Sequence, residues 1–216
     1  SRIKTVFAKA GWEREDSDVD VSLTLADNTL NGTQTLPIGW LDTPKQAYTW
    51  PDQNENKVAF LNARASHFLS TDRLLAGNIY YRHYTNDNFS SNVNNDCATA
   101  SLNPGACTGG FAAGEPQAFN DRSSIDTNSY GTSLQLSLLG DLAGKKNNFT
   151  VGASADLGRA HFTQTSETAD FTSDRGTVGS GVTTLQTDVD TTNDYYGLYF
   201  TDVYSFSERW HLTLSG

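Results

Sequence analysis

Apolar and polar residues alternate strictly through "VDVSLTLA", with Val19, Val21, Leu23 and Leu25 on one side of an extended chain and Asp20, Ser22, Thr24 and Ala26 on the other. The same alternation recurs along the chain and predicts eight strands. They span about Ile3 to Trp12, Asp18 to Ala26, Lys57 to Leu69, Leu74 to Thr85, Tyr130 to Leu142, Asn148 to Phe162, Tyr195 to Ser205 and Trp210 to Gly216. Leu134, Leu136, Leu138 and Leu142 oppose Ser133, Gln135, Ser137 and Asp141, and Phe149, Val151, Ala153, Ala155 and Leu157 oppose Thr150, Gly152, Ser154 and Asp156. In "LAGNIYYRHY", Leu75, Ile79 and Tyr81 oppose Asn78, Tyr80, Arg82 and Tyr84. The segment "YYGLYFTDVYS" has no clear parity, and its apolar face is left unassigned. No segment combines a helical period with an N-cap and a C-terminal glycine.

Four of the connections are short and polar: "EREDS", "STDR", "AGKKN" and "FSER". Three are long: Asp27 to Asn56, Asn86 to Ser129 and Thr163 to Asp194. Short and long alternate without exception. Structureless loops of that length are uncommon in a compact soluble domain, whereas short periplasmic turns alternating with long extracellular loops are the plan of an outer-membrane barrel. A polar face bearing Arg64, Arg82 and Asp156 suits a wet or plugged lumen, because small soluble barrels fill their interiors with apolar side chains. Trp12, Phe68, Tyr81, Tyr130, Tyr195, Tyr196, Tyr204 and Trp210 cluster near segment ends, as interfacial girdles do, though core aromatics give the same pattern. The expected fold is all-β, an antiparallel transmembrane barrel segment forming one partial β-barrel domain over residues 1–216.

Composition narrows the function. A net charge of −10 over 216 residues leaves no basic face for nucleic acid. No apolar run reaches the ~18 residues of a membrane helix, and a mean hydropathy of −0.49 does not exclude membrane strands, whose inner face is polar. The chain starts at Ser1 and contains no methionine, so a processed product or an excerpt of a longer protein is expected. Cys97 and Cys107 lie close together in a Ser, Asn, Gly and Pro-rich stretch; they are read as a loop-pinning disulfide, with two unpaired thiols as the alternative.

The ordered runs "LTLADNTLNGTQTLP", "YTWPDQNENKVAFLNARASHFLS", "LLAGNIYYRHYTNDNFSSN" and "DYYGLYFTDVYSFSERWHLTLSG" resemble the early barrel portion of TonB-dependent outer-membrane receptors. The resemblance implies about eight meander strands of a 22-strand barrel in the bacterial cell outer membrane. It also implies uptake of a scarce ligand such as a ferric siderophore, contact with TonB through a plug, and contact with lipid and lipopolysaccharide. Neither a plug nor a TonB box is present in these residues. The competing readings are a self-contained eight-stranded outer-membrane barrel with a structural or adhesion role, and a secreted carbohydrate-binding β-sandwich.

No catalytic constellation is found, so the expected function is not enzymatic, and no cofactor or resident metal is called for. His67, His83, His161 and His211 are scattered, without H-E-x-x-H or G-x-S-x-G spacing. "GSG" at Gly179–Gly181 reads as a flexible loop tip. "TDVDTTND" gathers Asp188, Asp190 and Asp194 but lacks the glycine and terminal glutamate of an EF-hand, so it reads as a solvated acidic loop. The candidate ligand-binding residues are aromatic: Trp40, Tyr48 and Trp50 in the first long loop, and Tyr80, Arg82 and Tyr84 climbing the inner wall. Aromatic faces beside a guanidinium suit an anionic or aromatic ligand. The structural alternative packs Tyr48 and Trp50 against the barrel rim and pairs Arg82 with an acidic group.

Overall fold

The computed structural model describes residues 1–32, 36, 41–42, 47–94 and 114–216. Among them the chain forms eight strands: β1 (Arg2–Glu13), β2 (Ser17–Asn31), β3 (Asp52–Ser70), β4 (Arg73–Val93), β5 (Ala118–Leu142), β6 (Lys145–Phe171), β7 (Thr177–Ser205) and β8 (His211–Ser215). Each strand pairs antiparallel with its sequence neighbours in a single open sheet, ordered β1 to β8. Among the described residues neither a closed eight-strand barrel nor a two-sheet sandwich is formed: β1 and β8 are the sheet's two edges, and no second sheet packs on it.

The expected turns form where polar punctuation interrupts the alternation. Two residues join β3 to β4 and two join β5 to β6; the latter pair, Ala143 and Gly144, are both at positive φ (53° and 73°). That handedness matches the right-handed twist of the flanking strands, and glycine supplies one of the two positions without steric cost.

The strands outrun their predicted ends on the opposite side. β4 continues to Val93 instead of Thr85, β5 begins at Ala118 instead of Tyr130, β6 reaches Phe171 instead of Phe162, and β7 begins at Thr177 instead of Tyr195. The third long connection is thus mostly hairpin. Here the apolar residues, Val178, Val182, Leu185 and Val189 among them, are sparse and unevenly spaced, so no alternation marks the strands, yet the antiparallel ladder continues through them because backbone pairing does not depend on which face is apolar. At ~3.4 Å per residue, the 29 residues of β7 greatly exceed the ~9–11 needed to cross a bilayer.

Register carries the facing across the whole sheet. The row Ala10, Val21, Ala63, Ile79, Thr132, Ala155, Tyr196 is joined pairwise from β1 to β7, and paired residues point to one side. This row belongs to a one-sided apolar band that has no protein cover: Tyr196 is 76% and Leu198 87% exposed. It also settles "YYGLYFTDVYS", placing Tyr196, Leu198 and Phe200 on the apolar side and Tyr195, Gly197 and Tyr199 on the polar side.

The band runs obliquely to the hydrogen-bonded rows. The row that is apolar at Val6, Leu25 and Ala59 becomes polar at His83, Asn128, Arg159 and Thr192. By β7 the upper limit is Tyr196, whose row meets β2 at Val21 instead of Leu25. Strands tilted ~40° in a bilayer require such a drift, because a horizontal apolar slab cuts them at an angle. On β5 the band runs from Tyr130 to Leu138, roughly 27 Å along the strand and about 21 Å in height at that tilt, close to the ~25 Å band of outer-membrane barrels.

Candidate functional site

The face opposite the band is a polar wall held by bonds that cross neighbouring strands. Asp20 sits between the Lys9 ammonium at 3.0 Å and the Arg64 guanidinium at 3.3 Å. Two like arrangements follow. The Tyr80 hydroxyl on β4 reaches over Gly131 of β5 to donate to Asp156 Oδ1 on β6 at 2.7 Å. The Tyr199 hydroxyl on β7 reaches over Gly152 of β6 to donate to Gln135 Oε1 on β5 at 3.0 Å. A Cβ at Gly131 would lie 2.0 Å from Tyr80 Cε1, and one at Gly152 would lie 2.3 Å from Tyr199 Cζ. Each glycine is therefore the slot under a tyrosine ring.

Tyr80, Arg82 and Tyr84 do share this wall. Phe60 packs against Tyr80 with ring centroids 5.8 Å apart, the Tyr84 hydroxyl donates to Asn56 Oδ1 at 3.0 Å, and the Arg82 guanidinium donates to Ser129 Oγ at 3.4 Å. Asn86 donates to Asn54 and to Asn56 beside them. The chemistry on offer is a row of aromatic faces, one exposed guanidinium and an amide ladder. It suits binding by stacking and charge-assisted hydrogen bonds and assembles no nucleophile with a base.

Tyr48 and Trp50 stand elsewhere. They form a latch with the turn between β6 and β7, where the Trp50 indole donates to the Asp174 carbonyl at 3.1 Å and Thr177 N–H donates to the Trp50 carbonyl at 3.2 Å. Arg175 donates to the Tyr48 carbonyl at 2.5 Å and lies over the rings of Tyr48 (4.0 Å) and Phe171 (4.7 Å). The latch also engages Ser91 and Asn120 through Thr177 Oγ1, at 2.8 and 2.6 Å. By register those two side chains stand on the face opposite Tyr80. Among the described candidates, Tyr48 and Trp50 thus stand apart from Tyr80, Arg82 and Tyr84. Trp40, Cys97 and Cys107 lie outside the described residues.

Two loop readings change. Asp188, Asp190 and Asp194 lie on β7, not in a loop, and His161 Nδ1 meets Asp190 at 2.8 Å while its Nε2 is 3.7 Å from Asp188. Gly179–Gly181 is bulged strand instead of a free tip. Gly181 takes φ +83° and donates its N–H to Glu167 Oε1 at 2.8 Å, and the register shifts between Glu167 and Ala169 bend the hairpin there. Among the described residues no cluster of His, Cys, Asp and Glu is arranged to hold a metal ion.

Sequence reading also missed a hollow of about 310 Å³ further up the face of the band. It is lined by Gln53, Glu55, Asp87, Phe89, Arg122 and Ser124, with Arg122 4.4 Å above the Phe89 ring. No sequence spacing announces it, because its residues come from four strands, β3 to β6.

The sheet matches solved outer-membrane structures. The siderophore receptor PiuA from Acinetobacter baumannii is similar over 99% of this chain at 12% identity and a TM-score of 0.64. The fold is that of part of the wall of an outer-membrane barrel. The outer membrane transporter YddB from Escherichia coli agrees, with 99% coverage, 14% identity and a TM-score of 0.58. At these identities the likeness is one of fold. The chain spans about a third of PiuA (34%) and 26% of YddB. No family model matches the sequence, and no curated protein matches it.

Proposed function

We propose that this partial barrel is a section of wall of an outer-membrane receptor that takes up a scarce ligand, a ferric siderophore by class, with TonB supplying energy through a plug. The observation that carries this reading is the oblique, one-sided apolar band across an open meander, short-turned at one end and extended far beyond the band at the other. Fold likeness to an outer-membrane siderophore receptor supports it. On this reading the band faces lipid, lipopolysaccharide lies against its upper margin, and Tyr80, Arg82 and Tyr84 line the path of ligand or plug. Transport then works by binding and conformational release, without bond chemistry. Lys9 and Arg64 offset Asp20 on the wall, and the exposed Arg82 guanidinium, bonded to the Ser129 hydroxyl, is the charge an anionic ligand would meet.

The test is the mass of the outer-membrane species that carries the peptide "LLAGNIYYR", by denaturing gel and peptide mapping. A band near three times this chain's mass of 23.5 kDa, containing plug peptides, together with impaired growth of the deletion strain on ferric siderophores as sole iron source, is expected. A band at this chain's own mass would withdraw the import reading.

A further inference from the structure

The face of β3 to β6 that carries the apolar band changes chemistry in steps beyond it. On β4 the band ends at Tyr81, which pairs with Leu61 and Tyr130. The next two register rows bring Lys57, His83, Asp126, Arg159 and His161 to the same face, and His161 also meets Asp190 of β7. Beyond them come the two rows that floor the hollow of about 310 Å³. One row is Glu55, Asp87, Ser124 and Thr163, and the other is Gln53, Phe89, Arg122 and Thr165. At ~3.4 Å per residue and a strand tilt of ~40°, the first two rows stand about 5–10 Å above Tyr81 and the hollow about 16–21 Å above it.

The hollow has a definite chemistry. It sets two carboxylates, Glu55 and Asp87, against one guanidinium, Arg122. Asp87 Oδ1 accepts from the Ser124 hydroxyl at 2.6 Å, and the Arg122 guanidinium lies 4.4 Å above the Phe89 ring. Among the described residues neither Arg122 nor the Glu55 carboxylate has an ion-pair partner. A phosphate would meet more negative charge than positive here. A neutral polyol meets complementary groups: carboxylate oxygens accept from its hydroxyls, the guanidinium fork and the threonine hydroxyls donate to its oxygens, and the Phe89 ring offers apolar surface to its C–H face. Two rows across four strands make a floor of roughly 14 by 7 Å, room for one or two sugar rings.

We propose that this hollow binds a neutral sugar of the lipopolysaccharide core. This rests on the reading above, in which the band faces lipid and the far end of the long strands faces outward. The order of layers is the physical reason. Acyl chains lie against the band, phosphates against the rows that carry Lys57 and Arg159, and uncharged core sugars at the hollow, which is the order of these parts along the lipid itself. The wall then holds lipopolysaccharide by its head as well as by its tails, whereas a saccharide in solution would engage the hollow alone.

Binding of purified lipopolysaccharide to the full-length protein in detergent tests this, using one form with a complete core and one trimmed to lipid A and its first acidic sugars. The complete form is expected to bind more tightly by on the order of tenfold, the effect of one charge-assisted hydrogen bond. Arg122→Ala should bring the complete form down to the affinity of the trimmed one. Glu55→Gln decides the ligand class: it should weaken the complete form several-fold, and tightening would mean a phosphate site and overturn the proposal. Unchanged affinity for the trimmed form shows that each variant is folded. Equal binding of both forms by the unaltered protein would refute the core-sugar site while leaving the lipid-facing reading intact, and binding of neither would sink both. A core oligosaccharide freed of its lipid and bound as tightly as the whole molecule would make this a site for a soluble sugar, which also overturns the proposal.

Discussion

Replacing Gly131 with alanine isolates what holds the polar wall together. The added Cβ would lie 2.0 Å from Tyr80 Cε1, 2.5 Å from Tyr80 Cζ and 2.5 Å from Asp156 Oδ1, so the tyrosine ring must swing off its slot and lose the 2.7 Å bond to Asp156. A hydrogen bond to a charged group contributes ~1.5–3 kcal/mol, reduced here because a wet wall screens it. Forced repacking adds up to ~1–3 kcal/mol, of which the outer atoms of a rotatable ring absorb much. The expected cost is about 2 kcal/mol, against about 1 kcal/mol for Tyr80→Phe, which keeps the ring in place. The assay is a double-mutant cycle on the whole receptor refolded into lipid, followed by denaturant unfolding. In the Tyr80→Ala background, Gly131→Ala should be neutral or slightly stabilising, since the nearest atom left is Asp156 Oδ1, the end of a carboxylate free to rotate away once its tyrosine is gone, and alanine has the lower unfolded-state entropy. An equal cost of Gly131→Ala with and without Tyr80 would refute the argument, because the clash would then lie with atoms other than the ring.

Further predictions follow from facing and from the turn. Leu134→Arg, on the apolar band, should cost ~2–4 kcal/mol in lipid, whereas Ser154→Arg on the polar wall should cost well under about 1 kcal/mol; similar losses at both positions would remove the lipid assignment. A spin label at Leu23 should be relaxed by lipid-dissolved oxygen and shielded from an aqueous nickel chelate, and the reverse would invert the faces. Asp174 accepts from the Thr172 hydroxyl and the Gly176 N–H, which hold its carboxyl below the usual aspartate range. A lowered value makes its contribution fully present above about pH 4 and lost as pH falls through the lowered value. Indole fluorescence of Trp50, read as the difference from Trp50→Phe, should therefore stay constant from neutral pH to about 4 and change only below it. A transition centred near pH 6 would point to a histidine instead.

Where one face meets an apolar medium and the other a polar one, the alternation of side chains is a local property of the chain, and it is written residue by residue. That is why the membrane-level parts of all eight strands, the four short turns and the inward placement of Tyr80, Arg82 and Tyr84 were legible from sequence. Above the band both faces are wet, so the stretches Asn86 to Val93, Ala118 to Ser129 and Thr177 to Asp194 look like loop, and only pairing with a neighbour makes them strand. The facing of Tyr196, Leu198 and Phe200 was likewise undecidable from a run rich in aromatics on both sides. Register against Ala155, Ala153 and Val151 decides it.

The candidate site divides along the same line. Residue type marked the aromatics, but it could not say that Tyr48 and Trp50 belong to a latch with Arg175, more than a hundred positions away, because nothing local encodes a contact at that separation. Nor could it show that Gly131 and Gly152 are slots under the tyrosines of the neighbouring strands, whose hydroxyls reach acceptors two strands removed. The sequence by itself determined faces and turns, which follow from period and backbone geometry. Tertiary structure decided lengths, partners and groupings, which depend on what each strand finds beside it.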